Sequence, residues 1–184
     1  MRERRNLLAR DPPGTDVDEL TVSTVVYVPP EEAFEFLLDF PGYAEYSAYL
    51  EEVRPDGEGG VGTTYELVLS WWKLTYTARS QVTAIEPLDR IDWKLVGSPD
   101  ASGSWLVEPE EPPEGRDHAS RITLAAQFDP DSLRSAGLDV PRLVSLDWVL
   151  GKVAPLAERE ARRVVERVVA DLEGERRPVE LTVD

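Results

Sequence analysis

Between Thr64 and Phe128 the apolar residues recur at every second position, and that period decides most of what this chain can become. In "TYELVLSW", Tyr65, Leu67, Leu69 and Trp71 share one face, with Glu66 and Ser70 on the other. "KLTYTARSQVTAI" sets Leu74, Tyr76, Ala78, Val82 and Ala84 against Thr75, Thr77, Arg79, Gln81 and Thr83. The same alternation groups Ile91, Trp93 and Leu95, then Gly103, Trp105 and Val107, then Ile122, Leu124, Ala126 and Phe128. Successive side chains on a strand point to opposite faces, so the pattern predicts an antiparallel sheet with one dry and one wet face. Turn-rich connections separate the strands: "RPDGEGGVG", "EPLD", "GSPDA" and "EPEEPPEGRDH".

The flanking segments follow other rules. "LTVSTVVYV" (20–28) is rich in Val and Thr and reads as a strand that Pro29 and Pro30 terminate. Pro30 suits a first helical turn, where its missing N–H costs nothing, and Glu31 and Glu32 suit the positive end of the helix dipole. Ala33, Phe34, Leu37 and Leu38 then give a short amphipathic helix, broken at Pro41-Gly42. "YAEYSAYL" predicts another helical turn before "LEEVRPD" extends. Beyond residue 129, "DPDSLRSAG" offers a short capped helix and "DVPRLVSLDWVLG" a second helical stretch. Val153, Ala157, Ala161, Val164, Val165, Val168 and Leu172 form one stripe at helical spacing, with Arg159, Arg162, Arg163, Glu166 and Arg167 largely opposite. A long terminal helix follows, with Pro155 in its first turn or at a kink. Its expected stop is Gly174, and "GERRPVELTVD" adds an extended piece. The expected organisation is a flexible arm (1–19), one α+β domain (20–173) and a tail (174–184), with no internal repeat.

Charge and composition exclude whole classes of function. Thirty-six acidic residues face twenty basic ones, a formal net charge of -16. Such a surface repels nucleic acid and anionic lipid headgroups. Its self-repulsion is largely screened at about 1 M salt, where the Debye length is about 3 Å. Only Lys73, Lys94 and Lys152 are lysines. This acid-rich, lysine-poor composition resembles proteins of salt-accumulating halophilic archaea, the alternative being an acidic mesophilic protein. The chain has no cysteine, which removes disulfides, thiol catalysis and thiolate metal sites. It has no run of 18 apolar residues, and "MRERRNLLARDPPGTD" lacks the apolar block of a secretory signal. The expectation is a cytoplasmic protein.

Catalytic signatures are weak. Gly57, Gly59 and Gly62 spell G-x-G-x-x-G, but a strand follows where a dinucleotide site needs a helix, so they read as a glycine-rich hairpin. His118, the only histidine, lies in an acidic, proline-rich loop and reads as solvated. Glu31-Glu32, Glu51-Glu52 and Glu110-Glu111 read as solvated faces, because a catalytic pair needs one desolvated carboxyl. Asp39 suits a structural role at the Pro41-Gly42 break. The expectation is no catalytic residue, no metal and no cofactor.

The order of elements carries a resemblance. Pro30, Glu31, the run Phe34 to Leu38, Asp39, Tyr43 and Tyr46 resemble the opening of the SRPBCC superfamily of START domains, polyketide cyclases and coenzyme-Q-binding chaperones. "GEGGVGTTYEL" looks like its next hairpin, and "VTAIEPLDRIDWKLV" is similar to its P-x-x-x-I turn. The likeness spans roughly 20–173 and leaves 129–147 unplaced. It implies a helix-grip fold: a bent antiparallel sheet of about seven strands, two short helices after the first strand, and a long C-terminal helix over the concave face. It also implies an apolar cavity between sheet and helix. Candidate ligand-binding residues are then Tyr43, Tyr46, Tyr65, Leu67, Leu69, Trp71, Tyr76, Trp93, Trp105 and Leu124, with Ala157, Ala161, Val164 and Val165 from the helix. Core packing alone would also account for the strand aromatics. Adjacent Trp71 and Trp72 point to opposite faces, so one is expected outside, where it would touch a membrane or protein partner transiently. The leading expectation is binding or transport of a hydrophobic small molecule of the lipid, isoprenoid or quinone class. An aromatase- or cyclase-like enzyme and a partner-binding accessory protein are the alternatives.

Overall fold

β-Branched residues fit a pleated, half-buried surface, and the first strand, β1 (Asp18–Val26), is rich in them. The computed structural model describes residues 18–71, 74–129, 132 and 146–184, the side chains of 74 and 146–158 excepted. Pro29 is extended (φ -65°, ψ 156°) and hands the chain to α1 (Pro30–Leu38), with Pro30, Glu31 and Glu32 in the first turn. This helix buries Ala33, Phe34 and Leu37, whereas Leu38, expected on the same face, is 37% exposed. The helix packs on β6 and β7. A 3-10 helix (Phe40–Glu45) follows at the expected break and leads into β2 (Leu50–Asp56).

The meander runs through β3 (Thr64–Trp71), β4 (Leu74–Glu86), β5 (Arg90–Leu95), β6 (Ala101–Pro109) and β7 (Ser120–Phe128). The long helix is α2 (Leu146–Glu173), and β8 (Thr182–Val183) ends the chain. All neighbours in the sheet β2-β3-β4-β5-β6-β7-β1-β8 are antiparallel. β1 lies beside β7, while β2 forms the opposite edge. The two short helices therefore carry the chain from one side of the sheet to the other, which is why a helical interruption follows the first strand.

Three features depart from the sequence pattern. The sheet has eight strands, because the tail returns and pairs with β1 (Ser23 with Thr182, Val22 with Val183). A register shift between Val82 and Ala84 puts Ala84 opposite Asp92 and Ile85 opposite Ile91. Ile85, not Ala84, thus continues the dry face, since one extra residue in a strand inverts the parity beyond it. The helix begins at Leu146, so "LDWVLG" belongs to it and Pro155 lies inside it. The side chains of Val153 and Ala157, the arm 1–17, Trp72 and most of 130–145 lie outside the described residues.

The glycine-rich loop is a hairpin connection, as its sequence suggests. Gly57 (φ 137°) and Gly62 (φ 90°) take backbone conformations that side chains resist, and β3 follows at once. The core under the sheet holds Val26, Phe34, Leu37, Ile91, Val107 and Val169. Each such buried apolar side chain contributes roughly 1.5–3 kcal/mol.

After α2 the chain is tied down by polar bonds. Thr24 Oγ1 donates to the Glu180 carbonyl (3.0 Å), and Val179 joins the core. Glu173 accepts from the Tyr27 N–H (2.8 Å) and from Arg177, whose guanidinium also donates to the Val25 carbonyl (2.7 Å). That guanidinium stacks 4.0 Å from the centre of the Tyr27 ring. Burial pulls the Glu173 carboxyl upward, but the bonds from Arg177 and Tyr27 outweigh it and hold it below the ordinary 4.5. A depressed carboxylate stabilises the fold above its unfolded value, and that contribution is lost as pH falls through the native value. Glu173→Gln should cost about 1–3 kcal/mol at pH 7. The gap between variant and wild-type melting temperatures should close well below pH 4.5; a pH-independent gap would contradict the charged latch.

Candidate functional site

Alternation puts the large side chains of β3, β5, β6 and β7 on the face that α2 crosses, and these do not fill the space. Two adjoining chambers remain. One, of about 320 Å³, lies directly beneath the helix. Its roof is Val164, Val165, Val168 and Val169 of α2, and its floor includes Val26, Leu67, Leu69 and Ile122. Phe36 and Leu37 close one wall; Tyr46, Ser47 and Leu50 close another. The second, of about 230 Å³, lies over the middle strands and is lined by Tyr65, Ala78, Ser80, Val82, Trp93, Leu95 and Leu124, with Phe40 and Val53. Tyr43, Leu67 and Trp105 border both.

Aromatic contacts set the shape of the wall between helices and sheet. Phe40 lies 4.7 Å from Tyr65 and 5.5 Å from Tyr43, centroid to centroid. Tyr43 meets Trp105 edge-on at 6.4 Å. The Tyr43 hydroxyl donates to the Leu37 carbonyl at 2.6 Å, fixing the ring against the end of α1. Its burial, then the charge of Asp39 and the neighbouring Tyr65, push its pKa far up, so it stays neutral. Tyr65 is shifted the same way by burial and Asp39, and its hydroxyl makes no hydrogen bond among the described residues. Asp39 itself is exposed, and its carboxylate lies against Gly42, where a Cβ would come within 2.5 Å of it.

On the strand side, the indole of Trp93 lies over Gly103, its cross-strand partner. A Cβ at 103 would stand 2.6 Å from Trp93 Cζ2 and 2.3 Å from the Ala125 carbonyl oxygen. The missing side chain is what admits the ring. Trp93 Nε1 is buried and has no hydrogen-bond partner among the described residues.

Polar bonds fasten the segment after the 3-10 helix to α2. The Tyr46 hydroxyl donates to Asp171 Oδ2 (2.6 Å), Arg167 donates to the Tyr46 carbonyl (2.5 Å), and the Ala48 N–H donates to Glu160 Oε1 (2.6 Å). Glu160 is 6% exposed and turns inward, as does Glu173 at the end of the helix, whose side chain is fully buried. Burial, followed by the bond to Asp171, pushes the Tyr46 hydroxyl up to about 12.

Most sequence-derived candidates converge here. Tyr43, Tyr46, Leu67, Leu69, Trp105, Val164 and Val165 line the chamber under the helix; Tyr65, Trp93 and Leu124 line the other. Three do not. Trp71 ends β3, half-buried, and lines neither chamber. The Tyr76 hydroxyl donates to the Ser98 carbonyl (2.8 Å), which draws the ring to the β5–β6 turn. Ala161 is exposed, a correction to the stripe: the inward row runs through Glu160, Val164, Val168 and Val169. The side chain of Ala157 lies outside the described residues. The sequence reading passed over Phe36, Phe40 and Ser80. Ser80 shares the parity of Ala78 and Val82, so period alone would have found it had its polarity not disguised it. Phe36 and Phe40 gain their place only from the turn between α1 and the 3-10 helix.

Elsewhere the surface offers different chemistry. A depression of about 510 Å³ on the other side of the sheet is mixed in character, with charged Glu19, Arg90, Asp92 and Lys94, and its Asp92 is held by Ser104 and Arg90 at 2.5 Å each. His118 is exposed in its loop. Among the described residues no group of three His, Asp or Glu is placed to hold a metal, and no helix is long and apolar enough to cross a membrane.

A bent antiparallel sheet gripping one long terminal helix over an apolar cavity defines the helix-grip class of proteins. The chain belongs to the polyketide cyclase / dehydrase and lipid transport family, whose model matches residues 18–173. No curated protein matches it by sequence. Among solved structures it is similar to the Zhui aromatase/cyclase from Streptomyces sp. R1128, with a TM-score of 0.61 at 17% identity over 85% of this chain and 94% of that one. It is also similar to Ara h 8.0201, with a TM-score of 0.55 at 15% identity over 86% and 99%. At these identities the likeness is one of fold.

Because Trp93 needs the bare backbone at 103, Gly103→Ala should strain the sheet and cost about 1–3 kcal/mol. Denaturant unfolding measures it, and a change under about 0.5 kcal/mol would mean that both the indole and the backbone at Ala125 move aside freely.

Proposed function

We propose that this protein binds a hydrophobic small molecule in the two chambers beneath α2, as a carrier or sensor. The observation that carries this reading is a pair of adjoining apolar spaces, about 320 and 230 Å³, on the face that a filled core would occupy. Protein interiors are close-packed, so adjoining apolar pockets of this size are ready sites for an occupant. The family supports hydrophobic ligand binding in general. A lipid, isoprenoid or quinone suits walls made of Val, Leu, Phe, Tyr and Trp with few polar groups.

Native mass spectrometry of protein purified in high salt should show a co-purified apolar mass. Leu67 borders both chambers, so Leu67→Trp should fill empty volume. Binding of a fluorescent hydrophobic probe should then fall sharply, with little loss in melting temperature. A loss of about 1–3 kcal/mol, the usual penalty of overpacking a filled core, would count against a cavity.

A second reading, an aromatase- or cyclase-like enzyme, draws on the fold shared with the Streptomyces protein and on the Tyr65 hydroxyl facing the smaller chamber. No Lys, Arg, His, Asp or Glu lines either chamber, which favours binding over acid–base chemistry.

The charge of -16 suits a salt-rich cell interior of the halophilic kind. Melting temperature should rise steeply between about 0.1 M and 2 M KCl as repulsion is screened. A flat profile would remove this part of the reading.

A further inference from the structure

The chamber under α2 meets a second space at Tyr46. A charged cleft of about 570 Å³ runs between the 3-10 helix and the outer side of α2, and Tyr46 lines both. On the apolar side its ring stands edge-on to Phe36 at 5.5 Å; on the charged side its hydroxyl donates to Asp171 at 2.6 Å. One side chain thus separates an oily space from an ionic one.

Four arginines line the cleft: Arg163, Arg167, Arg176 and Arg177. Two are committed. Arg177 pairs with Glu173 at 2.7 Å, and Arg167 donates to the Tyr46 carbonyl and stands 3.7 Å from Glu160. Arg163 and Arg176 are exposed and make no hydrogen bond or ion pair among the described residues. Of the cleft's acids, Asp171 accepts from Tyr46, while Glu45 and Glu166 offset part of the arginine charge. In a chain of net charge -16, this is an unusual place to find guanidiniums without a partner among the described residues beside an apolar cavity.

Neither chamber offers an anion a charged partner. No cationic side chain lines them, and an ionised head buried without a partner is strongly disfavoured. Guanidinium, by contrast, matches carboxylate and phosphate with paired hydrogen bonds. Resting on the cavity-binding reading, the geometry points to an amphiphile with an anionic head as the ligand. Its tail lies under α2 and passes Tyr46; its carboxylate or phosphate lies on Arg163 and Arg176. The overall negative charge opposes long-range attraction, so the tail supplies the affinity and the arginines supply the choice of head.

Titration calorimetry with dodecanoate, dodecyl phosphate, dodecanol and inorganic phosphate separates the possibilities. The wild type should bind both anionic amphiphiles about tenfold more tightly than dodecanol, the scale of two exposed charge-assisted contacts. Inorganic phosphate alone should bind far more weakly. In Arg163→Gln with Arg176→Gln, whose folding is checked by its melting temperature, the ratio of dodecanoate to dodecanol affinity should fall toward one. Equal affinity for dodecanoate and dodecanol in the wild type overturns the head-group assignment and leaves the cavity reading standing. Phosphate binding as tightly as dodecyl phosphate would also overturn it, since the cleft would then be an anion site independent of any tail. If no amphiphile binds, the cavity reading fails and the assignment fails with it.

Discussion

Everything in this structure depends on covering the dry face of the sheet. Alternation gives eight antiparallel strands one apolar surface, and a face that large is stable only when something shields it from water. α2 provides that shield, and the way it is held matters more than its contact area. At its end, Glu173 and Arg177 bind it to Tyr27 and Val25 of the β1 region. Further back, Glu160, Arg167 and Asp171 tie it to Tyr46 and Ala48. Polar latches at two places fix the helix without requiring its middle to be filled by side chains.

The filling is correspondingly modest. Above the sheet the roof of the helix is Val164, Val165, Val168 and Val169, four short side chains where Leu or Phe would reach further. Below, the largest rings are drawn aside: Trp93 sinks onto Gly103, and Tyr43 is pinned to the Leu37 carbonyl. Short residues above and withdrawn rings below leave the chambers open. The same arrangement keeps them apolar, because the polar ends of Tyr43 and Tyr46 are bonded away from the interior.

Charge divides along the same boundary. The acids that give the chain its net -16 lie mostly on the exposed surface; the exceptions on α2 among the described residues are Glu160, whose buried carboxylate accepts the Ala48 N–H, and Glu173, whose side chain is buried against Tyr27 and Arg177. Two arginines of α2, Arg163 and Arg167, and two just beyond its end, Arg176 and Arg177, gather near the Tyr46 edge of the cavity. A helix that is apolar beneath and cationic outside therefore meets solvent, segment and cavity at one residue.

The alternating stretches by themselves determined the sheet, its inner face and the helical cover, because period two and period 3.6 are local properties that the backbone imposes wherever they occur. They also placed Tyr65, Leu67, Leu69, Trp93, Trp105 and Leu124 on the cavity side. Tertiary structure decided the rest. The extra residue near Thr83 exchanged Ala84 for Ile85 on the inner face, which no residue type announced. Tyr76 keeps the register of that face, opposite Leu69, but its hydroxyl bonds to Ser98, twenty-two positions away in sequence, and it lines neither chamber. On the helix, the stripe read through Ala161, whereas the buried row runs through Glu160. A helical period gives the spacing of a face but not its rotation, which is set by what the helix meets; here the Ala48 N–H draws a carboxylate inward and leaves a methyl group in water.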